Sequence, residues 1–354
     1  MSPVLPVVLA VLAISGTAQA AEVSQLGPLR ADVGEAVSGY LEVPALNDAG
    51  ARIPVSLVRG AQDGPVLALI AGTHGYEYPG ITALQRLRQS IDPQKLRGTL
   101  LLVHIANPPS FYGRTTYTSP ADGKNLNRVF PGRADGTLSE RIAYAITTEV
   151  IAKADFLVDL HAGDGNEALR PYIYMPVTGD ARLDAATRGM ALAFGLDHIV
   201  IDATRIAPPD ATQFVDMTAL ARGIPAITTE TGQLGLNDEH HVALAERGVR
   251  NLMHHLGMLE GAAAPNPGVV WLTDYQVITS PVTGVFRATV RDGYAVAEGG
   301  VLGELYDAFG ARVGEVRAPF AGIVNYVVGT PPAVEDQPLA MVSRIAAAPP
   351  PSPQ

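Results

Sequence analysis

Between about residues 50 and 260, short apolar runs of strand length alternate with stretches of helical periodicity. A chain written this way must cover both faces of a sheet with helices, so the pattern predicts an α/β fold around a mainly parallel, mixed sheet. The strand candidates are 66–71, 99–105, 155–160, 198–201 and 224–229, and the intervening helices are 81–91, 138–152, 181–194 and 239–256. Pro79 suits the opening of the first helix, where the missing N–H costs nothing. At 261–268 the sequence becomes small and proline-rich, as in a linker. Beyond it, short β runs separated by glycine (276–279, 284–290, 301–306 and 322–328) predict a small all-β unit. The expected organisation is a signal peptide over 1–20, an α/β domain over 21–262, a β-rich domain over 263–346 and a disordered tail over 347–354.

The signal peptide rests on an apolar run from Val4 to Ile14, followed by Ala18-Gln19-Ala20, an A-x-A cleavage pattern. The run is too short for a membrane anchor, which needs about 20 residues. The n-region, however, has no Lys or Arg. Export to the periplasm or medium is the expectation, with no membrane span after cleavage. A formal charge of −10 excludes nucleic acid as a partner. The chain has no cysteine, so any metal must be held by His, Asp or Glu, which suits a catalytic zinc site.

Three strand candidates end in ionisable groups. The first runs into Gly-Thr-His-Gly-Tyr-Glu at 72–77, the third ends at His161, and the last ends at Glu230. His74 and Glu77, three apart, share one face of a turn or helix start. Alone they are a weak signal, since a capping Glu beside a loop His looks the same. Parallel strands would bring all of these groups to one sheet edge, where open α/β sheets place their ligands. Two His and one Glu make a catalytic zinc set, and a further carboxylate is available as base.

Four segments in order, Gly-Thr-His-Gly-Tyr-Glu at 72–77, Lys-Asn-Leu-Asn-Arg-Val-Phe-Pro-Gly at 124–132, Asp-Leu-His-Ala-Gly at 159–163 and Thr-Glu-Thr-Gly at 229–232, resemble the succinylglutamate desuccinylase/aspartoacylase family. The resemblance runs from about residue 50 to the end and implies a zinc carboxypeptidase-like fold. It implies one Zn2+ per chain on His74, Glu77 and His161, with Glu230 as general base. It further implies Asn127 and Arg128 as a clamp for a substrate carboxylate, and Arg114 as the oxyanion-stabilising arginine. Asn125 stands where zinc carboxypeptidases usually have an Asp that orients a ligand histidine. Asp159, two before His161, is a candidate for such a partner, with a backbone hydrogen bond as the equal alternative.

The C-terminal unit resembles a barrel-sandwich hybrid of the biotinyl/lipoyl type at Thr-Ser-Pro-Val-Thr-Gly-Val (279–285) and Arg-Ala-Pro-Phe-Ala-Gly-Ile-Val (317–324). No Lys follows Lys153, so it bears no prosthetic group. His104 is expected to be packed, the pairs His240/His241 and His254/His255 to be solvated, and Asp164 to cap a loop. Arg170 is a candidate for a pocket receiving an acidic side chain. The reading is a zinc-dependent deacylase that cleaves a linear amide of a small N-acyl amino acid. A metallocarboxypeptidase for short or cell-wall peptides is the first alternative, and a non-catalytic binding protein the second. The acyl group, the amino acid and the oligomeric state stay open.

Overall fold

The computed structural model describes residues 23–346 except 204, 205, 265 and 267, so the expected signal peptide and tail lie outside the described residues. Among the described residues, thirteen strands form one sheet. One half of it runs in spatial order Tyr172–Pro176, Ala226–Glu230, Phe156–His161, Gln62–Ala71, Arg97–Val103, Ala51–Arg59 and Glu35–Val43. The three central neighbours Ala226–Glu230, Phe156–His161 and Gln62–Ala71 are parallel, while Tyr172–Pro176 and Ala51–Arg59 enter antiparallel. The sheet is mixed, as the pattern predicts.

Helices cover both faces. Tyr78–Ser90, Ala181–Phe194 and Glu239–His255 bury Leu84, Leu87, Met190, Phe194, Val249 and Leu252 against Leu67, Leu69, Leu100 and Ile227. On the other face Leu138–Glu149 and Val215–Leu220 bury Ile142, Ile146, Val215 and Leu220 against Ala68, Ile70, Leu101 and Leu157. Side chains of alternate parity along each strand go to opposite clusters, as the two-residue period of a strand requires.

The β unit is not set apart from this sheet. Val270–Thr279 begins earlier than the run at 276–279 suggests, and its first residues pair in parallel with His198–Asp202. Pro338–Ile345 and then Gly322–Val328 continue outward from it. A four-stranded sheet of Gly284–Ala288, Val301–Tyr306, Arg312–Arg317 and Pro332–Ala333 closes over these strands around Phe286, Leu302, Leu305 and Val324. Among the described residues no helix is long and apolar enough to cross a membrane.

One histidine expectation is corrected here. His241 is buried, because Asp238 caps the Glu239–His255 helix and holds the imidazole Nδ1 at 2.7 Å. His104 is packed, with Nε2 2.8 Å from Ser56 Oγ. Burial, with Arg88 nearby, pushes His104 down to about 4, so it is neutral at physiological pH.

Candidate active site and metal centre

The parallel register sets His161 beside Glu230, the last residues of adjacent strands. The neighbouring strand ends at Ala71 and turns at Gly72, whose φ of +71° favours glycine and where a Cβ would lie only 3.0 Å from Ile105 Cα. That turn delivers His74 and Glu77 to the same edge. Glu77 occupies the N-cap position of the Tyr78–Ser90 helix, yet its side chain makes no cap bond. It faces the histidines instead, which removes the capping explanation for this carboxylate.

His74 Nδ1 lies 2.6 Å from Glu77 Oε1 and His161 Nδ1 lies 2.8 Å from Glu77 Oε2. The ligand-type atoms of the three buried residues all lie within 4.8 Å of one another. Each imidazole is held from behind through Nε2. His161 Nε2 donates to Asp159 Oδ2 at 2.8 Å, and His74 Nε2 lies 3.1 Å from Asn125 Oδ1. The Asn127 N–H also donates to Asn125 Oδ1, at 2.8 Å, which fixes that atom as the amide oxygen. His74 Nε2 is therefore the donor. Both Nδ1 lone pairs then face the centre of the group, the arrangement a metal ligand needs.

These residues fit a divalent cation. Glu77 Oε2 is buried and receives no hydrogen bond although His161 Nδ1 is in contact with it. Two imidazoles and one carboxylate, with no thiolate available, are a donor set for catalytic zinc. The electrostatics agree. Burial works to raise Glu77, but His161 and His74 outweigh it and hold the carboxyl down at about 2. Burial works to lower His161 and His74, but Asp159 and Glu77 raise the first well above its ordinary value and Glu77 raises the second. The group is thus a negatively biased cradle that protons occupy when no metal does.

Glu230 stands outside this ligand group. Its Oε2 is buried without a partner. Burial raises its pKa well above the carboxylate range, with Glu77, Glu167 and Asp159 reinforcing the rise against the pull of His161. An unpaired acid beside a ligand histidine is placed to take and return a proton.

Residues 63–256 match the model of the succinylglutamate desuccinylase/aspartoacylase catalytic domain. The chain belongs to the succinylglutamate desuccinylase/aspartoacylase family. It is 33% identical over 297 residues to the N-alpha-acetyl-L-2,4-diaminobutyric acid deacetylase of Halomonas elongata, a match covering 81% of this chain and 85% of that one. The product-bound ectoine utilization protein EutE (DoeB) of Ruegeria pomeroyi superposes with a TM-score of 0.81 at 28% identity, covering 90% of this chain and 98% of that chain. A succinylglutamate desuccinylase of Silicibacter sp. TM1040 gives 0.80 at 27%, with coverage of 90% and 98%. The large mixed sheet with an all-β C-terminal region is the fold of this family, and the chain is an enzyme of its amide-cleaving deacylase type.

Within this desuccinylase/aspartoacylase frame the four other site candidates separate. Arg128 lies over the Phe214 ring at 4.6 Å and donates to Asn127 O at 2.7 Å. No carboxylate pairs with it among the described residues. Asn127 does not stand beside it as a free clamp. Its Oδ1 accepts from Val215 N at 2.9 Å, and its Nδ2 points with His161 Nε2 at Asp159 Oδ2. Asn127 thus braces the metal side of the site. Arg114 ends the Pro108–Gly113 helix at a left-handed φ of 52°, exposed and close enough to Tyr78 to act on its hydroxyl electrostatically. Arg170 is not brought to the triad. Its guanidinium is spent on Asp197 at 2.5 Å and His198 at 3.0 Å.

Asp159, an open alternative in the sequence, is the histidine partner. Strand periodicity puts residues two apart on one face, which is the signal for it. Asp164 caps a loop, accepting from Tyr117 N and Gly165 N. No motif or spacing pointed to Tyr117, or to Tyr172 and Tyr174, whose rings meet edge-to-face beside Glu230. A cavity of about 1080 Å³ is lined by Ser38, Tyr40, Arg88, His104 and Tyr112 and includes none of the triad.

Proposed function

We propose that the protein is a zinc-dependent deacylase that hydrolyses the amide bond of an N-acyl amino acid. The observation that carries the proposal is the His74–Glu77–His161 group with the unpaired Glu230 at the adjacent strand end. Zinc held by these three residues would supply Lewis acidity toward the scissile carbonyl and the attacking water. Asp159 and Asn125 hold the two imidazoles in the tautomer that presents Nδ1. Glu230 takes the proton from water and delivers it to the leaving nitrogen. Arg128 meets the free carboxylate of the substrate with its planar fork. Arg114 is the group assigned to the developing oxyanion. The named activity of the Halomonas relative makes Nα-acetylated diamino acids the first substrates to try.

A panel of N-acyl amino acids against short peptides tests this reading. Release of free amine from the first group but not the second is expected, and cleavage of peptides alone would favour a carboxypeptidase. Arg128→Ala should weaken use of substrates with a free carboxylate by about one to two orders of magnitude, since a charge-assisted pair is worth about 1.5–3 kcal/mol. Substrates whose carboxylate is amidated should be turned over equally by parent and variant. An equal loss on both would assign Arg128 a structural role.

We also propose that the chain is exported to the periplasm or medium. The support is the apolar run ending in Ala18-Gln19-Ala20. N-terminal sequencing of exported protein should begin at Ala21; a mature chain that still begins at Met1 would overturn this.

A further inference from the structure

Tyr117 has no part in the chemistry proposed above. Its backbone is left-handed, with φ 59°, a conformation that a residue bearing a Cβ keeps only where its surroundings hold it. Here they do. The Tyr117 N–H donates to Asp164 Oδ2 at 2.8 Å. Its hydroxyl lies 2.9 Å from both Asn166 Oδ1 and Glu167 Oε1, two acceptors for one proton. Its ring stands edge-on to His74, with centroids 6.4 Å apart and planes at 85°.

The acceptors are fixed in their turn. Glu167 Oε2 takes the Asp164 N–H at 3.1 Å. The strand Glu167–Leu169 pairs with Gly322–Val328 of the C-terminal unit, and Gly329 N donates to Asn166 O at 2.8 Å. Tyr117 also lies within the loop between Arg114 and Asn125, and Asn125 is the residue that accepts from His74 Nε2. One side chain therefore connects a ligand histidine, the loop bearing that histidine's orienting amide, and a strand held by the β unit.

We infer that Tyr117 is a positioning residue for the metal centre. It holds the His74 imidazole and the Asn125 loop so that Nδ1 faces the metal, and it takes its rigidity from the C-terminal β unit through Glu167. This rests on the metal reading above. A neutral amide restrains an imidazole less than a carboxylate does, so the His74 side needs a second restraint where the His161 side has Asp159.

The test is the rate at which zinc leaves the zinc-loaded full-length chain for an excess of chromophoric chelator, a readout that needs no substrate. Tyr117→Phe keeps the ring and deletes the hydroxyl, and should release zinc at least about tenfold faster, since partners of metal ligands are worth about 10–100-fold in affinity. The same change takes from the half-buried Glu167 carboxyl one of its two partners, leaving the Asp164 N–H, and lowers thermal stability for that reason alone. Tyr117→Phe combined with Glu167→Gln removes that carboxyl. The double variant should regain thermal stability and still release zinc fast. Zinc release at the parent rate in Tyr117→Phe, or recovery of release rate together with stability in the double variant, would overturn the inference. A parent chain that takes up no zinc overturns the metal reading itself, and is told apart from these outcomes by its zinc content.

Discussion

Glu230→Gln is expected to lower turnover by at least about two orders of magnitude while zinc content stays near that of the parent. A positioned carboxylate that moves a proton between nucleophile and leaving group contributes typically 10²–10⁴-fold, and the amide keeps the shape but cannot accept the proton. Stability makes the test sharper. Glu230 is half-buried, with Oε2 out of solvent and unpartnered and with its proton affinity raised by desolvation, so folding already resists its charge. An amide of the same shape is no worse there, and thermal stability should be unchanged or higher. A carboxylate that served only to cap a loop or pair with an arginine would behave oppositely, losing stability while turnover survived. Turnover within a few-fold of the parent would end the assignment.

His161→Ala should remove both zinc and activity. His74 and Glu77 alone leave half of a tetrahedral site to water, and two ligands do not hold the ion against competing chelators. No described neighbour replaces His161. Asp164 is already engaged with Tyr117 N and Gly165 N, and Asp159 lies behind the imidazole at Nε2. The alanine variant also takes the imidazole from the buried Asp159 carboxylate and leaves it only the Asn127 amide at 3.5 Å, a change that by itself destabilises by about 3–5 kcal/mol. His161→Gln guards against that confusion, because its amide N–H can still reach an acceptor while the imidazole lone pair is gone. Both variants should lack zinc by elemental analysis. A folded glutamine variant with full zinc would show that the ion sits elsewhere.

The parts of this site that could be read in the sequence are those set by strand ends and short spacing. His161 and Glu230 close apolar runs of strand length, and the parallel arrangement implied by the helix–strand alternation brings them side by side, as the register does. The Ala181–Phe194 helix falls where the pattern puts it because Asp180 caps its start and the left-handed Gly195 ends it. What could not be read depends on contacts distant in sequence. Tyr172–Pro176 is short and bounded by proline, and it becomes a strand only between Ala226–Glu230 and His198–Asp202. The proline-rich stretch at 261–268 suggested a break, yet Val270–Thr279 rejoins the same sheet. Asn127 and Arg170 carry the residue types that clamp carboxylates, but Val215 N and Asp159 engage the first and Asp197 the second. Side-chain type is visible in a sequence; whether a side chain is already spent is not.

The most direct measurement is a zinc titration of metal-stripped protein, followed through release of free amine from an N-acetyl amino acid. Under a zinc mechanism, release is negligible without metal, rises linearly with added zinc and reaches a plateau at one equivalent per chain. Full hydrolysis by the stripped protein, or a plateau at no activity with one zinc bound at His74, Glu77 and His161, would contradict it.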